Sequence, residues 1–345
     1  MKKKSLRFLC LISVITTSLS LTACNAAKNR DITKEPSSTE SGELVSAPTY
    51  NPVRPEVGNN EEKKTPTEEP KKEIPSTTIN KPVEKAPIKT ESSNQHGTTS
   101  SNEDKTTEKL DYRNLNNTKI SWWFKPNKLH VTPEVNMKIG FDLNKYDACY
   151  VGDTDKKVLY MTFDEGYENG YTGKILDTLK ENDVKAIFFV TLPYLKGNPD
   201  LIKRMVDEGH IVANHTNHHP SMPTVTVTEE KFNKELKDVE DEYSKIIGKE
   251  MPKFFRPPMG EYSEKSLAMT KNLGYKTVFW SFAYHDWDIN KQPDPVKAKK
   301  TILDGLHNGS IMLIHAVSKT NTEILGDVIK EAKAQGYEFE LLKDN

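Results

Sequence analysis

From Val158 to the C-terminus, apolar residues recur in two alternating rhythms. Val158-Leu159-Tyr160-Met161-Thr162-Phe163 reads as a buried strand that carries Asp164 and Glu165 to a turn at Gly166. A stripe of Ile175, Leu176 and Leu179 predicts a helix over 172–180, and Ile187-Phe188-Phe189-Val190 centres the next strand. Pro199 opens a helix with Leu201, Ile202, Met205 and Val206 on one side, and a short strand follows Gly209. Thr226-Val227-Thr228-Glu229 fits a capping box for the longest helix, whose stripe is Phe232, Leu236, Val239, Tyr243 and Ile246. A strand at Phe254-Phe255, a helix capped by Ser263 and a strand over 277–281 come next. The pattern closes with a helix from Pro295, a strand over 310–314 ending at His315, a helix over 323–335 and a strand over 337–342. About seven strands alternating with helices predict a parallel α/β fold, either a closed barrel or an open sheet. Reactive side chains after the strands then share one face, where active sites form.

Composition divides the 345 residues unevenly. Hydrophobic content is 35% and charged content 29%, and the apolar deficit is local. Residues 25 to 108 hold a single aromatic, Tyr50, amid Pro, Lys, Glu, Ser, Thr and Asn. Such a stretch buries too little apolar surface to offset its ordering entropy, so it reads as a disordered tether. A relaxed tether of about 85 residues spans roughly 50 Å. Formal net charge is −1, which speaks against a nucleic-acid binder.

The N-terminus reads as an address. Lys2, Lys3, Lys4 and Arg7 precede a short apolar run and then Leu21-Thr22-Ala23-Cys24. This resembles a bacterial lipoprotein signal, with Cys24 becoming the lipidated first residue; an ordinary secretion signal is the alternative. The expected organisation is a signal peptide over 1–23, a lipid-anchored linker over 24–108, an extension over 109–155 and a catalytic domain over 156–345. In the extension, Trp122-Trp123-Phe124 is either a lid over the core or a sugar-stacking platform, and Cys149 reads as a small buried hydrophobe.

The chemistry-bearing residues follow strands. His215, His218 and His219 fall within five residues, and two histidines plus a carboxylate from another strand make a credible metal site. Arg256 opens a Pro-Pro loop and can pair with Asp164, fixing its ionised form. Asp286 can accept a hydrogen bond from one nitrogen of His315, leaving the other to transfer protons. Trp280 and Trp287 are candidates for the pocket wall, whereas His218 and His285 are expected to be dispensable.

These residues resemble the polysaccharide deacetylases of the NodB-homology class, carbohydrate esterase family four. The resemblance covers 156–342 and rests on Thr162-Phe163-Asp164-Glu165-Gly166, His215-Thr216-Asn217-His218-His219, Arg256-Pro257-Pro258-Met259-Gly260, the Trp280 to Trp287 region and Leu313-Ile314-His315. Gly166-Tyr167-Glu168-Asn169-Gly170-Tyr171-Thr172, residues 122–127 and 281–287 look like the branch that deacetylates N-acetylmuramic acid for spore-cortex muramic δ-lactam. The resemblance implies a distorted (β/α) barrel and removal of acetyl from an amide. It also implies a divalent cation, expected to be zinc, held by Glu165, His215 and His219. Glu165 departs from the aspartate usual there. Asp164 would be the base, aided by Arg256, and His315 with Asp286 the acid; the backbone N–H of Tyr167 would face the oxyanion. The implied partner is a peptidoglycan strand met by a monomer anchored through Cys24 on the outer face of the membrane. Deacetylation of N-acetylglucosamine, chitin or xylan, and an inactive glycan-binding module, are the alternatives.

Overall fold

The computed structural model describes residues 109–343 apart from Met137, together with the backbone of Val45–Ser46, which runs antiparallel to Trp123 and Phe124. The expected signal segment, Cys24 and the rest of the tether lie outside the described residues. The main sheet contains β1 (Ala148–Cys149), β2 (Val158–Glu165), β3 (Ile187–Val190), β4 (Ile211–Asn214), β5 (Phe254–Phe255), β6 (Lys276–Val278), β7 (Ser310–His315) and β8 (Glu338–Phe339). Its path runs β7-β2-β3-β4-β5-β6-β1, and β8 lies beside Val158 and Leu159 at the start of β2. Every ladder in it is parallel. The sheet curls into an open half-barrel: past β6 the chain meets β7 through an isolated bridge between Phe282 and Met312. The expectation of a distorted barrel of about seven parallel strands therefore holds.

Two-residue alternation sorts β2 between two cores. Leu159, Met161 and Phe163 point outward, where they meet the stripes of helices α1 (Thr172–Glu181), α2 (Pro199–Asp207) and α3 (Glu229–Ile247) through Ile175, Leu179, Ile202 and Val239. Val158 and Tyr160 point inward to Phe189, Val278, Ile311 and Leu313. Both faces of β2 are buried, which is why its sequence is an unbroken apolar run.

β1 belongs to the stretch read as an extension, and it pairs with β6 at the sheet's edge. Two residues were too short a run to register as a strand. Trp122 is fully buried, stacks on Phe279 at 4.4 Å and donates its indole N–H to the Trp280 carbonyl at 2.9 Å. Its surroundings are those of a packing residue. The cap of α3 is Thr228, whose hydroxyl accepts from the Lys231 amide, whereas Thr226 bonds back to Pro223. Helix α4 (Glu264–Asn272) starts at Ser263 as expected, and α5 (Pro295–Asp304) has Pro295 in its first turn. Helix α6 (Lys319–Ala334) starts four residues before the expected 323, because its first turn, capped by Ser318, lacks an apolar stripe.

Phe188 is fully buried on β3 and stacks on Phe163 of β2 at 4.9 Å. Phe188→Ala is expected to cost about 3–5 kcal/mol of unfolding free energy in urea titrations. A loss below about 1 kcal/mol would contradict the packing described for this layer.

Candidate active site

Parallel strands bring their carboxyl ends to one rim. Asp164 is the last residue but one of β2, His215 follows β4, Arg256 follows β5, Trp280 follows β6 and His315 ends β7. A cleft of about 50 Å³ opens there, lined by Asp164, Tyr167, His215, His219, Trp287 and His315 among others. That is room for one or two waters or an acetyl group.

Arg256 is fully buried and anchors the floor of this rim. Its Nη1 donates to Asp164 Oδ1 at 2.7 Å and to Thr162 Oγ1 at 2.9 Å, and its Nε donates to the Val278 carbonyl at 3.0 Å. The guanidinium lies over the Phe189 ring at 4.2 Å. Thr162 passes the link on, donating to the Met312 carbonyl of β7 at 2.7 Å. Burial works against a charge on Asp164, but Arg256, His215 and His315 outweigh it and hold the carboxyl below its ordinary 3.8. Asp164 therefore stands ionised near neutrality.

The loop after β4 is shaped by its own polar side chains. Asn214 accepts the Thr216 amide at 2.9 Å, and the Thr216 hydroxyl accepts the His219 amide at 2.9 Å. These bonds support left-handed backbone at Thr216 and His219, with φ of 73° and 55°. His215 Nδ1 lies 2.8 Å from the Arg256 carbonyl, so Nδ1 carries the proton and Nε2 presents a lone pair. That Nε2 stands 3.6 Å from Asp164 Oδ2. The His219 ring meets His215 edge-on at 4.9 Å. Burial lowers the pKa of His215, and burial with His215 as neighbour pushes His219 down to about 3. Both shifts favour the neutral imidazole.

Across the cleft, His315 Nδ1 lies 2.7 Å from Asp286 Oδ1, and its backbone amide donates to Asp286 Oδ2 at 2.8 Å. Asn321 donates to the same Oδ2 at 2.6 Å and takes a hydrogen bond from Tyr284. Burial opposes a charge on His315, but Asp286, and after it Asp164, prevail and raise its pKa above 6.5. Trp280 and Trp287 both line the cleft. His218 pairs with Glu235 at 2.8 Å with a side chain 68% exposed, and His285 stacks edge-on against Trp287.

Glu165 is the exception, and it overturns the expected zinc site. As the next residue after Asp164, it points to the opposite face of β2, into the helix layer. Its Oε1 is 3.5 Å from the Thr172 hydroxyl on α1, and its Oε2 has no hydrogen-bond partner. Burial, together with Glu168 and Asp164, raises its pKa well above 4.5, which favours the neutral acid. The set of Glu165, His215 and His219 does not assemble. Among the described residues, no group of three or more His, Cys, Asp or Glu side chains is placed to hold a metal ion. The expectation of a divalent metal, zinc, is therefore withdrawn.

Sequence reasoning passed over Thr162 and Asn321. Thr162 had a signal, since it is a hydroxyl inside an apolar strand, two residues before Asp164 and hence on the same face. Asn321 had none, because it lies in a helical turn that the apolar stripe does not reach.

The polysaccharide deacetylase family model matches residues 151–278. A Geobacillus stearothermophilus protein, described as an uncharacterized 30.6 kDa protein in the fumA 3′ region, is 47% identical over 230 residues, 67% of this chain and 86% of that protein. The peptidoglycan-N-acetylmuramic acid deacetylase PdaA of Bacillus subtilis is 46% identical over 228 residues, 66% of this chain and 86% of PdaA. The solved structure of Bacillus subtilis PdaA, a family 4 carbohydrate esterase, superposes with a TM-score of 0.63 and covers 66% of this chain and 96% of that one. The chain belongs to the polysaccharide deacetylases, carbohydrate esterase family four with NodB homology. It is a hydrolase of amide C–N bonds.

Three outcomes follow from the site's electrostatics. With Asp164 read as the base and His315 as the acid, the expected outcome is activity that falls as pH drops below the lowered Asp164 pKa and as pH rises past the raised His315 pKa. Asp286→Asn removes the main influence raising His315, so its alkaline limb should move to lower pH; an unmoved limb would detach His315 from that role. Glu165→Gln, measured by turnover and by metal content of the purified protein, should change neither by more than about threefold. Loss of both would return Glu165 to the cleft.

Proposed function

We propose that this chain removes the N-acetyl group from N-acetylmuramic acid in peptidoglycan strands. The observation that carries the reading is a cleft holding an ionised carboxylate opposite a carboxylate-paired histidine, in a chain 46% identical to a muramic acid deacetylase. Neutral His215 Nε2 and Asp164 Oδ2 are two acceptors 3.6 Å apart that suit one water. Such a water donates both protons and aims a lone pair at the amide carbonyl carbon. Asp164 takes a proton as the C–O bond forms. The oxyanion is held by donors at the rim, for which the backbone N–H of Tyr167 is the candidate. His315 then gives its Nε2 proton to the nitrogen as the C–N bond breaks, and acetate and a free amine leave. Asp286 holds the imidazole in place through its other nitrogen.

Mass spectrometry of purified wall fragments should find the loss of one acetyl group on muramic acid. Free amine on glucosamine alone would overturn the sugar assignment. Asp164→Asn should lower turnover by at least about a hundredfold, and full activity in that variant would remove it as the base.

The same reading puts the enzyme on the outer face of the membrane, held by lipid on Cys24. It is supported by the basic start, the short apolar run and Leu21-Thr22-Ala23-Cys24. Cys24→Ser should shift the protein from the membrane fraction to the medium on immunoblots; retention in the membrane would contradict a lipid on Cys24.

A further inference from the structure

Tyr284 lies two residues before Asp286, in the chain that leaves β6 and outside the residues that line the catalytic cleft. Its hydroxyl nevertheless ends a line of hydrogen bonds that leads there. The hydroxyl donates to Asn321 Oδ1 on the first turn of α6. Asn321 Nδ2 donates to Asp286 Oδ2 at 2.6 Å and to the His315 carbonyl at 3.0 Å. Asp286 Oδ1 in turn lies 2.7 Å from His315 Nδ1. Asp286 and Asn321 are both buried, so water does not compete for these groups.

The Asn321 amide has one orientation that satisfies its neighbours. Both of its N–H groups face acceptors, a carboxylate oxygen and a carbonyl, and its oxygen faces the Tyr284 hydroxyl. Turning the amide over would set its oxygen against both acceptors, a buried mismatch. Burial, and after it the nearby Asp286, hold the Tyr284 phenol above its ordinary 10, so the hydroxyl keeps a proton to donate. The Asn321 main-chain amide donates to Ser318 Oγ at 3.1 Å, which fixes the residue at the start of its helix. Gln292 fastens the loop from the other side. Its Nε2 donates to the Asp286 carbonyl at 3.0 Å, and its Oε1 accepts from the Ser318 hydroxyl at 2.6 Å. Loop and helix start are thus tied at two points, and the Asp286 carboxylate is held on the His315 side.

We propose that Tyr284 and Asn321 are positioning residues for the amide hydrolysis: Tyr284 fixes the orientation of the Asn321 amide, and that amide holds the Asp286 carboxylate against His315 Nδ1. Both act through Asp286 rather than on the substrate. The proposal deepens the reading of His315 as the acid and rests on it. The groups that face His315 are Asp286 from the loop, Asp164 from β2 and Arg256 from the chain after β5, with His215, His219 and Tyr167 around the same cleft. Burial works against a charge on His315, and Asp286 is the chief group that upholds it. A carboxylate released from Asn321 spends less time on Nδ1, so the imidazole should give up its proton at lower pH.

The test compares Asn321→Ala, Tyr284→Phe and Val328→Ala in the full chain. Turnover is measured against pH, and His315 is followed by NMR of histidine-labelled protein, its resonance assigned by its loss in His315→Gln. Asn321→Ala should lower kcat by about tenfold or more, with KM within about threefold of wild type. His315 in that variant should titrate about half a pH unit lower or more. Tyr284→Phe keeps the ring and removes only the hydroxyl, so both quantities should move the same way by less. Val328 is buried on the same helix, two turns from Asn321. Val328→Ala should lower stability while leaving the His315 midpoint and the alkaline limb in place. Midpoints that stay at the wild-type value in Asn321→Ala and Tyr284→Phe would overturn the proposal. So would a midpoint that Val328→Ala moves as far, because loosened packing would then be the cause. If Asn321→Ala does not fold, Tyr284→Phe decides by the same midpoint. A midpoint that falls while the alkaline limb of activity stays put would support the positioning and sink the reading of His315 as the acid.

Discussion

The site depends on a buried ion pair between Arg256 and Asp164. A guanidinium with no exposure is tolerated only when its donors are used, and here the strands around it supply the acceptors: Thr162, Asp164, Val278 and Phe279. Their geometry is fixed by the sheet, so the carboxylate is fixed as well. The same pairing keeps Asp164 charged where burial alone would neutralise it. Removing either partner would leave the other charge stranded in the core, at a cost of about 3–5 kcal/mol. Fold stability and catalytic readiness thus share one interaction.

Strand pleating governs the rest of the arrangement. Asp164 and Glu165 are adjacent in sequence, yet one faces the cleft and the other the helix layer, beside Thr172. Their proton affinities move in opposite directions as a result. On the far side of the cleft, β7 is in register with β2, so His315 pairs with Asp164 by position. His315 and Asp164 are therefore held at the same level on neighbouring strands. Asp286 and Asn321 clamp the imidazole from a loop and a helix, which frees the strand from supplying that support.

Most of this was legible in the sequence. Strand and helix alternation announced the parallel sheet, and the strand-end positions announced one catalytic rim. The pairing of Arg256 with Asp164, and of His315 with Asp286, could be anticipated because each joins groups of opposite charge at the carboxyl ends of strands of one parallel sheet. Glu165 was misplaced for a physical reason: motif resemblance treats adjacent acids as a unit, whereas a strand turns them apart. The two-residue strand β1, the start of α6 and the clamp at Asn321 were invisible because each is set by tertiary contacts that leave no periodic trace.

The central claim is that Asp164 is held ionised by Arg256, with its other oxygen 3.6 Å from His215 Nε2. Carboxyl-carbon NMR titration of the folded protein, with Asp164 assigned by comparison with Asp164→Asn, tests it directly. The account predicts a midpoint below 3.8. A midpoint above 6, leaving the acid protonated near neutral pH (roughly the range reached when burial of a carboxyl goes uncompensated), would contradict it.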